Sequence, residues 1–367
     1  MHRSDVRCTG VSDFDSCRYL YWPLNSMTQV IQLDPARPQK ELIEQAAKIL
    51  RNGGLVAFPT ETVYGLGADA LNESAVRRVF DAKGRPSDNP CIVHVESRVM
   101  LDRVSAGIGD KAEQLIEKFW PGPLTLVLNR KPEVPPAVSA GLPTVAVRMP
   151  ENEIALALIR AAGTPIAAPS ANSSGRPSPT SAAHVLEDLR GRIELIIDGG
   201  NTNIGIESTV LDLTAVPPTI LRPGWVTREM LTEVIGSVRL SASAEELGRS
   251  PGTRHRHYSP QARVILLEGE SPDAIEEICR KQLQQGKTGF IGHTAIRIDD
   301  PNFSAIILRP TAEIYAHSIY AALREMDQPD TRGIIVEGIS DEGEGAAVMD
   351  RLRRAAGTIS SELRSTL

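Results

Sequence analysis

Short apolar segments alternate with stretches of helical apolar spacing along most of the chain, and this alternation limits it to an α/β architecture. Before residue 240 the strand candidates are Leu55–Phe58, Cys91–Val95, Leu124–Leu128, Thr144–Arg148, Pro165–Ala168, Leu195–Ile197, Thr209–Leu213 and Thr219–Arg222, with a further strand in MTQVIQLDP from Met27. Helices fall between many of them. Lys40–Arg51 runs into Asn52-Gly53-Gly54, a stop signal, and Asn72 caps a helix with Val76, Val79 and Phe80 on one face. Ser181–Leu189 has the same spacing. So many strands predict one large, twisted, mostly mixed sheet.

The alternation breaks once, at SASAEELGRSPGTRHRHYSPQA (241–262), and then restarts. Strands at Val264–Leu267, Gly289–His293, Ala305–Leu308 and Ile334–Glu337 alternate with helices near 272–285, 312–326 and 345–356. Without hairpin signals, these predict a smaller parallel sheet with crossover helices. The expected division is an N-terminal extension (1–27), a first domain (28–240), a linker (241–262) and a second domain (263–367). The first 26 residues lack periodicity and the apolar core of a secretory signal, so they read as disordered or as the product of an upstream start codon. The linker is either a plain tether or, given Arg254, Arg256 and Tyr258, a segment that closes over an anion.

A length of 367 residues suits two domains, and 41% hydrophobic with 23% charged residues describes a soluble globular chain. A formal net charge of −6 gives no sign of nucleic-acid binding, although a local basic pocket remains compatible with it. Cys8, Cys17, Cys91 and Cys279 form neither a CxxC pair nor a metal-ligand spacing. Free thiols in a reducing compartment, and hence a cytoplasmic location, are expected. No apolar run approaches the ~18 residues of a membrane span, so no membrane contact is expected.

The second domain carries no nucleotide fingerprint. Gly286-Lys287-Thr288 precedes a strand, and Lys281 stands where a phosphate loop needs glycine. The chemistry is therefore expected in the first domain. PTETVYGLG (59–67) leaves a buried strand, and its glycines permit close backbone approach to a ligand; a β-turn with a capping threonine is the plainer alternative. AKGRPSDNP (82–90) offers Lys83, Arg85 and Asn89. Lys83 and Arg85, two apart, would point the same way in an extended segment and suit a polyphosphate, unless they only neutralise a helix end. AAPSANSSGRPSPT (167–180) places many hydroxyls at a strand end, where α/β sheets hold ligands. His94 sits on an apolar strand, as core histidines do; Arg148 ends another and suits a carboxylate, a phosphate or a structural salt bridge. Ser208 and Arg222 are weaker signals taken singly.

Together, PTETVYGLG, Lys83-Gly84-Arg85, Ser170-Ala171-Asn172, SGRPSPT, ESTV and LRPG occur in an order and wording that resemble the YrdC-like family of threonylcarbamoyl-AMP synthases. The second domain is similar to the C-terminal domain of the family's longer, two-domain members, with SPGTRHRHYSP like the interdomain linker and GEGAAVMDRLRRAA like the C-terminal helix. The likeness covers roughly residues 30–360. Thr253 and His255 depart from the Met and aromatic residue usual in that linker.

The resemblance implies a YrdC-like domain with a deep positive cavity, joined to a Rossmann-like parallel α/β domain. It implies an enzyme that makes L-threonylcarbamoyladenylate from L-threonine, bicarbonate or carbon dioxide, and ATP, releasing pyrophosphate. Mg2+ would accompany the ATP, with no protein side chain as metal ligand. A separate transferase complex would then move the group onto adenosine in tRNAs that read codons starting with A, with direct tRNA contact left open. Carried over by residue, Lys83 and Arg85 are catalytic. Arg85, Asn89, Thr144, Ala168, Ser170, Ser178, Arg222 and Tyr258 bind ATP, with Ser170 and Ser178 as hydroxyl donors. Thr62, His94, Arg148 and Ser208 surround threonine, and Tyr258, Arg254 and Arg256 close over the occupied cavity. The alternatives are a carbamoyl-phosphate-dependent carbamoyltransferase module, whose usual acylphosphatase or zinc-finger segments are not visible, and a non-catalytic RNA-binding protein, for which no RNA-recognition signature is present.

Overall fold

The structure, a computed structural model, describes residues 27–241, 243–248, 250 and 258–357. The N-terminal extension 1–26 and the linker residues Thr253, Arg254, His255 and Arg256 lie outside the described residues.

Among the described residues, twelve strands join in one mixed sheet. From one edge the order is Gln29–Gln32, Leu195–Asp198, Val56–Phe58, Gly65–Asp69, Ile166–Ala167, Ile92–His94, Thr144–Arg148, Leu124–Arg130, Thr209–Asp212, Thr219–Arg222 and Arg239–Leu240, with Ser105–Ala106 paired to Leu124–Arg130. The segment Gly65–Asp69 is a strand, antiparallel to both Val56–Phe58 and Ile166–Ala167. Its glycine content hides it from propensity-based reading. Gly67 makes room for protein, not ligand: an added Cβ would lie 2.8 Å from the Phe58 ring and 2.9 Å from Ile166.

The helices cover the sheet because their apolar stripes match it. Lys40–Arg51 and Glu153–Ala162 bury Leu50, Leu158 and Ile159 in the core that also holds Phe58, Val93 and Val147. On the other face, Glu73–Lys83 and Ala182–Leu189 pack Val79 and Val185 against Leu55, Tyr64 and Leu66. The first starts at the side-chain cap expected from sequence, Asn72, and the second is capped by Ser181, which apolar spacing alone places as the first helical residue. The thiols of Cys91 and Cys279 are free and buried.

The second sheet has four strands in the order Arg263–Leu267, Thr331–Glu337, Lys287–Gly292 and Phe303–Ile307, and every pair is parallel. Helix Pro272–Leu283 covers one face through Ile275 and Cys279. On the other face, helices Ala312–Met326 and Gly345–Ala356 meet the first domain, whose Val63 and Ile206 are buried in the same cluster as Ile319, Tyr320 and Val348. This seam is tight. Gly205 takes φ 91°, and a Cβ there would stand 2.3 Å from the Ala316 carbonyl oxygen, so only glycine fits. No described helix is long and apolar enough to cross a membrane.

Candidate active site

Parallel pairing sets His94 beside Arg148 in register at the carboxyl ends of their strands, so both side chains share one sheet face. Thr62 and Ser208 join them on the wall of a single cavity. Arg148 is held from three sides. Its Nε donates to the Gly122 carbonyl at 3.1 Å, its Nη1 donates to Thr62 Oγ1 at 2.9 Å, and its Nη2 lies 2.5 Å from Glu61 Oε1. Glu61 was not singled out in the sequence; its carboxylate makes an ionic contact with Arg148 but no aligned hydrogen bond. His94 is wholly buried, and burial, then the neighbouring Arg148, lowers its pKa to about 3, so the ring is neutral. Its Nδ1 is buried without an aligned hydrogen-bond partner.

A second group on the wall of the same cavity is Lys83, Arg85, Ala168, Ser170, Ser178, Arg222 and Tyr258. Lys83 and Arg85 reach it by a route other than an extended segment. Lys83 closes helix Glu73–Lys83, Gly84 turns left-handed at φ 63°, and the Arg85 N–H returns to the Phe80 carbonyl at 2.9 Å. The Lys83 ammonium donates to the Ser170 and Asn172 carbonyls, each at 2.5 Å, which ties the strand-end loop to the helix. Burial, then Arg85, pulls its pKa well below the usual lysine range. Arg222 donates to the Ser208 carbonyl from Nε at 3.1 Å and from Nη2 at 3.0 Å. It thereby links the two groups.

Two expected ATP ligands are not on the cavity wall. Asn89 is fully buried behind Arg85, and its carbonyl accepts from Arg85 Nε at 3.3 Å; it orients the guanidinium instead of facing the cavity. Thr144 starts the strand that Arg148 ends, about 13 Å away at the rise of a β-strand, and pairs with Asn129. A third correction concerns hydrogen-bond polarity. Ser170 donates to Asn172 Oδ1 at 2.5 Å, and Ser178 donates to the Glu207 carboxylate. Neither hydroxyl proton is left for a ligand, and both oxygens face it as acceptors.

Tyr258 lines the cavity and is 4% exposed. Its φ of 64° is costly for a non-glycine residue, and two contacts offset that cost. The ring stacks on Tyr320 with centroids 5.5 Å apart, and the Arg351 guanidinium lies 5.4 Å from its centroid. Sequence reading missed Arg176, Glu207 and the second domain's Tyr320, Arg324 and Arg351. Arg176 and Arg324 both pair with Asp188, whose side chain is fully buried, and Arg324 Nη2 also donates to the Pro177 carbonyl at 2.6 Å.

Comparison with known proteins decides the family. A threonylcarbamoyl-AMP synthase of Pyrococcus abyssi is 50% identical over 323 residues, which cover 86% of this chain and 94% of the relative. The chain belongs to the Sua5/YciO/YrdC family. A model of that family, described as Telomere recombination, matches residues 48–224, and one described as Threonylcarbamoyl-AMP synthase, C-terminal domain, matches residues 226–357. Another family member, the threonylcarbamoyl-AMP synthase of Bacillus subtilis, is 46% identical over 86% of this chain and 93% of its own length. The crystal structure of P. abyssi Sua5 complexed with L-threonine superposes with a TM-score of 0.85 at 48% identity, covering 90% of this chain and 98% of that one.

Proposed function

We propose that this chain synthesises L-threonylcarbamoyladenylate from L-threonine, bicarbonate or carbon dioxide, and ATP, with release of pyrophosphate. The observation that carries this reading is one cavity whose wall carries two chemically distinct groups of residues. Arg148, Thr62, His94 and Ser208 suit a small zwitterion with a hydroxyl, and Lys83, Arg85 and Arg222 suit a polyphosphate. Family membership and the L-threonine complex of the P. abyssi relative support it.

The threonine amine captures carbon dioxide as a carbamate. A carbamate oxygen then attacks the α-phosphorus of ATP, the bond to the β-phosphate oxygen breaks, and pyrophosphate leaves. Nucleophile and electrophile are both anionic, so the site contributes charge and alignment in place of an activated side chain. Arg148 would pair with the threonine carboxylate. The neutral His94 and Ser208 would read its hydroxyl, which allows strong rejection of analogues that lack the hydroxyl. Arg85 and Arg222 would hold phosphates. Lys83 would shape the loop at Ser170. Tyr258 would seal the cavity against water, which hydrolyses carbamates and acyl-adenylates.

Mg2+ would enter with the triphosphate. The wall carboxylate Glu207 is taken up by Arg351, Tyr320 and Ser178, so the cavity offers cationic phosphate partners, not metal ligands. The product would pass to a threonylcarbamoyl transferase acting on tRNA. Pyrophosphate release from ATP and bicarbonate, with and without L-threonine and with L-serine as control, tests the reading. Threonine-dependent release exceeding that with serine is expected; none from folded protein would overturn it.

A further inference from the structure

Glu207 on the cavity wall is 7% exposed and is held mainly by the second domain. Tyr320 donates to its Oε2 at 2.9 Å across 113 residues of sequence, and Arg351 Nε donates to the same oxygen at 2.9 Å across 144. Arg351 is 1% exposed, and its Nη2 also donates at 3.0 Å to the carbonyl of Pro223, next to Arg222. Burial alone raises the Glu207 pKa, but Arg351 and Arg222 outweigh it and leave the group at about 2. Glu207 is therefore a carboxylate and accepts hydrogen bonds only. Its Oε1 takes the Ser178 hydroxyl proton. A serine has one such proton, so Ser178 can show the cavity only its lone pairs.

We propose that Tyr320 and Arg351 are positioning residues supplied by the second domain: through Glu207 they fix Ser178 as an acceptor for a hydrogen-bond donor of the nucleotide. That donor is a ribose hydroxyl or the adenine 6-amino group. Phosphate oxygens, which carry no proton here, are excluded from this contact. The inference rests on the proposed nucleotide site but not on turnover. Neither Tyr320 nor Arg351 lines the cavity, so neither is a catalytic residue.

Calorimetric titration of the full chain tests it with ATP, 2′-deoxy-ATP, 3′-deoxy-ATP and the triphosphate of purine riboside, which lacks the 6-amino group. One analogue should bind the parent about tenfold more weakly than ATP, the scale of one hydrogen bond. In Ser178→Ala that gap should shrink below twofold. The pair Glu207→Leu with Arg351→Leu removes both charges, so no bare charge is buried. It should also close the gap, with no further loss when Ser178→Ala is added. L-threonine affinity, titrated the same way, should move less than twofold, which separates positioning from general damage. Equal binding of every analogue by the parent, a gap that persists in Ser178→Ala, or additive losses would overturn the proposal. If the charge pair variant fails to fold, Tyr320→Phe, which removes one donor to Glu207 and no charge, decides instead: it should narrow the gap, and an unchanged gap would overturn the proposal. Nucleotide binding without pyrophosphate release would sink the synthase reading while leaving this contact measurable.

Discussion

Arg148 and Glu61 face each other at 2.5 Å, with each side chain only 4% exposed. The pair neutralises a buried cation at the place where a substrate carboxylate is expected. Both Glu61 oxygens lack an aligned hydrogen-bond donor, so the contact is ionic and a competing carboxylate can share the guanidinium. Removing one charge of a buried pair typically costs about 3–5 kcal/mol.

Glu61→Gln should therefore destabilise the ligand-free protein by about 3 kcal/mol. L-threonine should restore part of this, because its carboxylate replaces the missing charge. The check is thermal unfolding with and without threonine. The threonine-induced rise in Tm should be larger in Glu61→Gln than in the parent, and an equal or smaller rise would count against carboxylate sharing at Arg148.

His94 sets a pH dependence of stability. Its pKa is about 3 in the folded protein, against 6.5 for the free side chain. Between those values the unfolded chain binds the proton and the folded chain does not, so stability is full above pH 6.5 and falls as pH drops toward 3. The slope from this group is about 1.4 kcal/mol per pH unit. His184, lowered to about 4 by burial and then Arg324, acts in the same direction over a narrower window. Urea unfolding at pH 7.5, 6.5 and 5.5 should show the fall, and His94→Gln should flatten it by one proton. For the same reason, kcat/KM for threonine should show no ionisation near pH 6.5 that is assignable to His94.

These two positions mark what the sequence could and could not disclose. Arg148 was legible because it ends an apolar strand, and strand ends are where α/β sheets hold ligands; His94 reads as a core histidine, and only the family resemblance places it beside the substrate. The register that sets them side by side is a property of the sheet, and no local pattern reports it. Helices such as Ala312–Met326 were legible from spacing and caps. The strand Gly65–Asp69 was not, because its glycines answer to the bulk of Phe58 and Ile166. Asn89 and Thr144 failed as cavity residues because segment wording does not say which end of a strand, or which layer behind a guanidinium, a side chain occupies. Arg324 and Arg351 were invisible as site residues for a different reason. Each reads as the polar position of an amphipathic helix, and their partners lie more than a hundred residues away.

Arg324→Met should loosen the docking of the two domains. It removes the donors to the Pro177 carbonyl and one of the two cations on buried Asp188, while Arg176 remains. A loss of about 2–3 kcal/mol is expected. Chemical denaturation and limited proteolysis should show it as lower stability and faster cleavage between the domains, with partial recovery in Arg324→Lys. Unchanged cleavage would mean that the apolar seam alone holds the domains.

Gly205→Ala should be severe, because Gly205 is buried in the seam between the domains. The left-handed backbone costs about 1–2 kcal/mol with a side chain, and the new Cβ would collide with the Ala316 carbonyl at 2.3 Å. Displacement of helix Ala312–Met326 also moves Tyr320 away from Glu207. Both stability and ATP affinity should fall together, measured by denaturation and by calorimetric titration. A variant with normal ATP affinity and reduced stability would show that this helix can shift without disturbing the nucleotide side.

The separation of 144 positions from Glu207 to Arg351 has a consequence for synthesis on the ribosome. Translation at roughly 5–20 residues per second leaves on the order of ten seconds during which the first domain has emerged and its partner helix has not. Throughout that interval Glu207 has no arginine from the second domain, and for most of it Asp188 has none either, so the loop carrying Ser178 is not yet anchored on that side. A nascent or prematurely terminated chain therefore lacks a finished nucleotide wall, and only a chain translated through Arg351 can complete it.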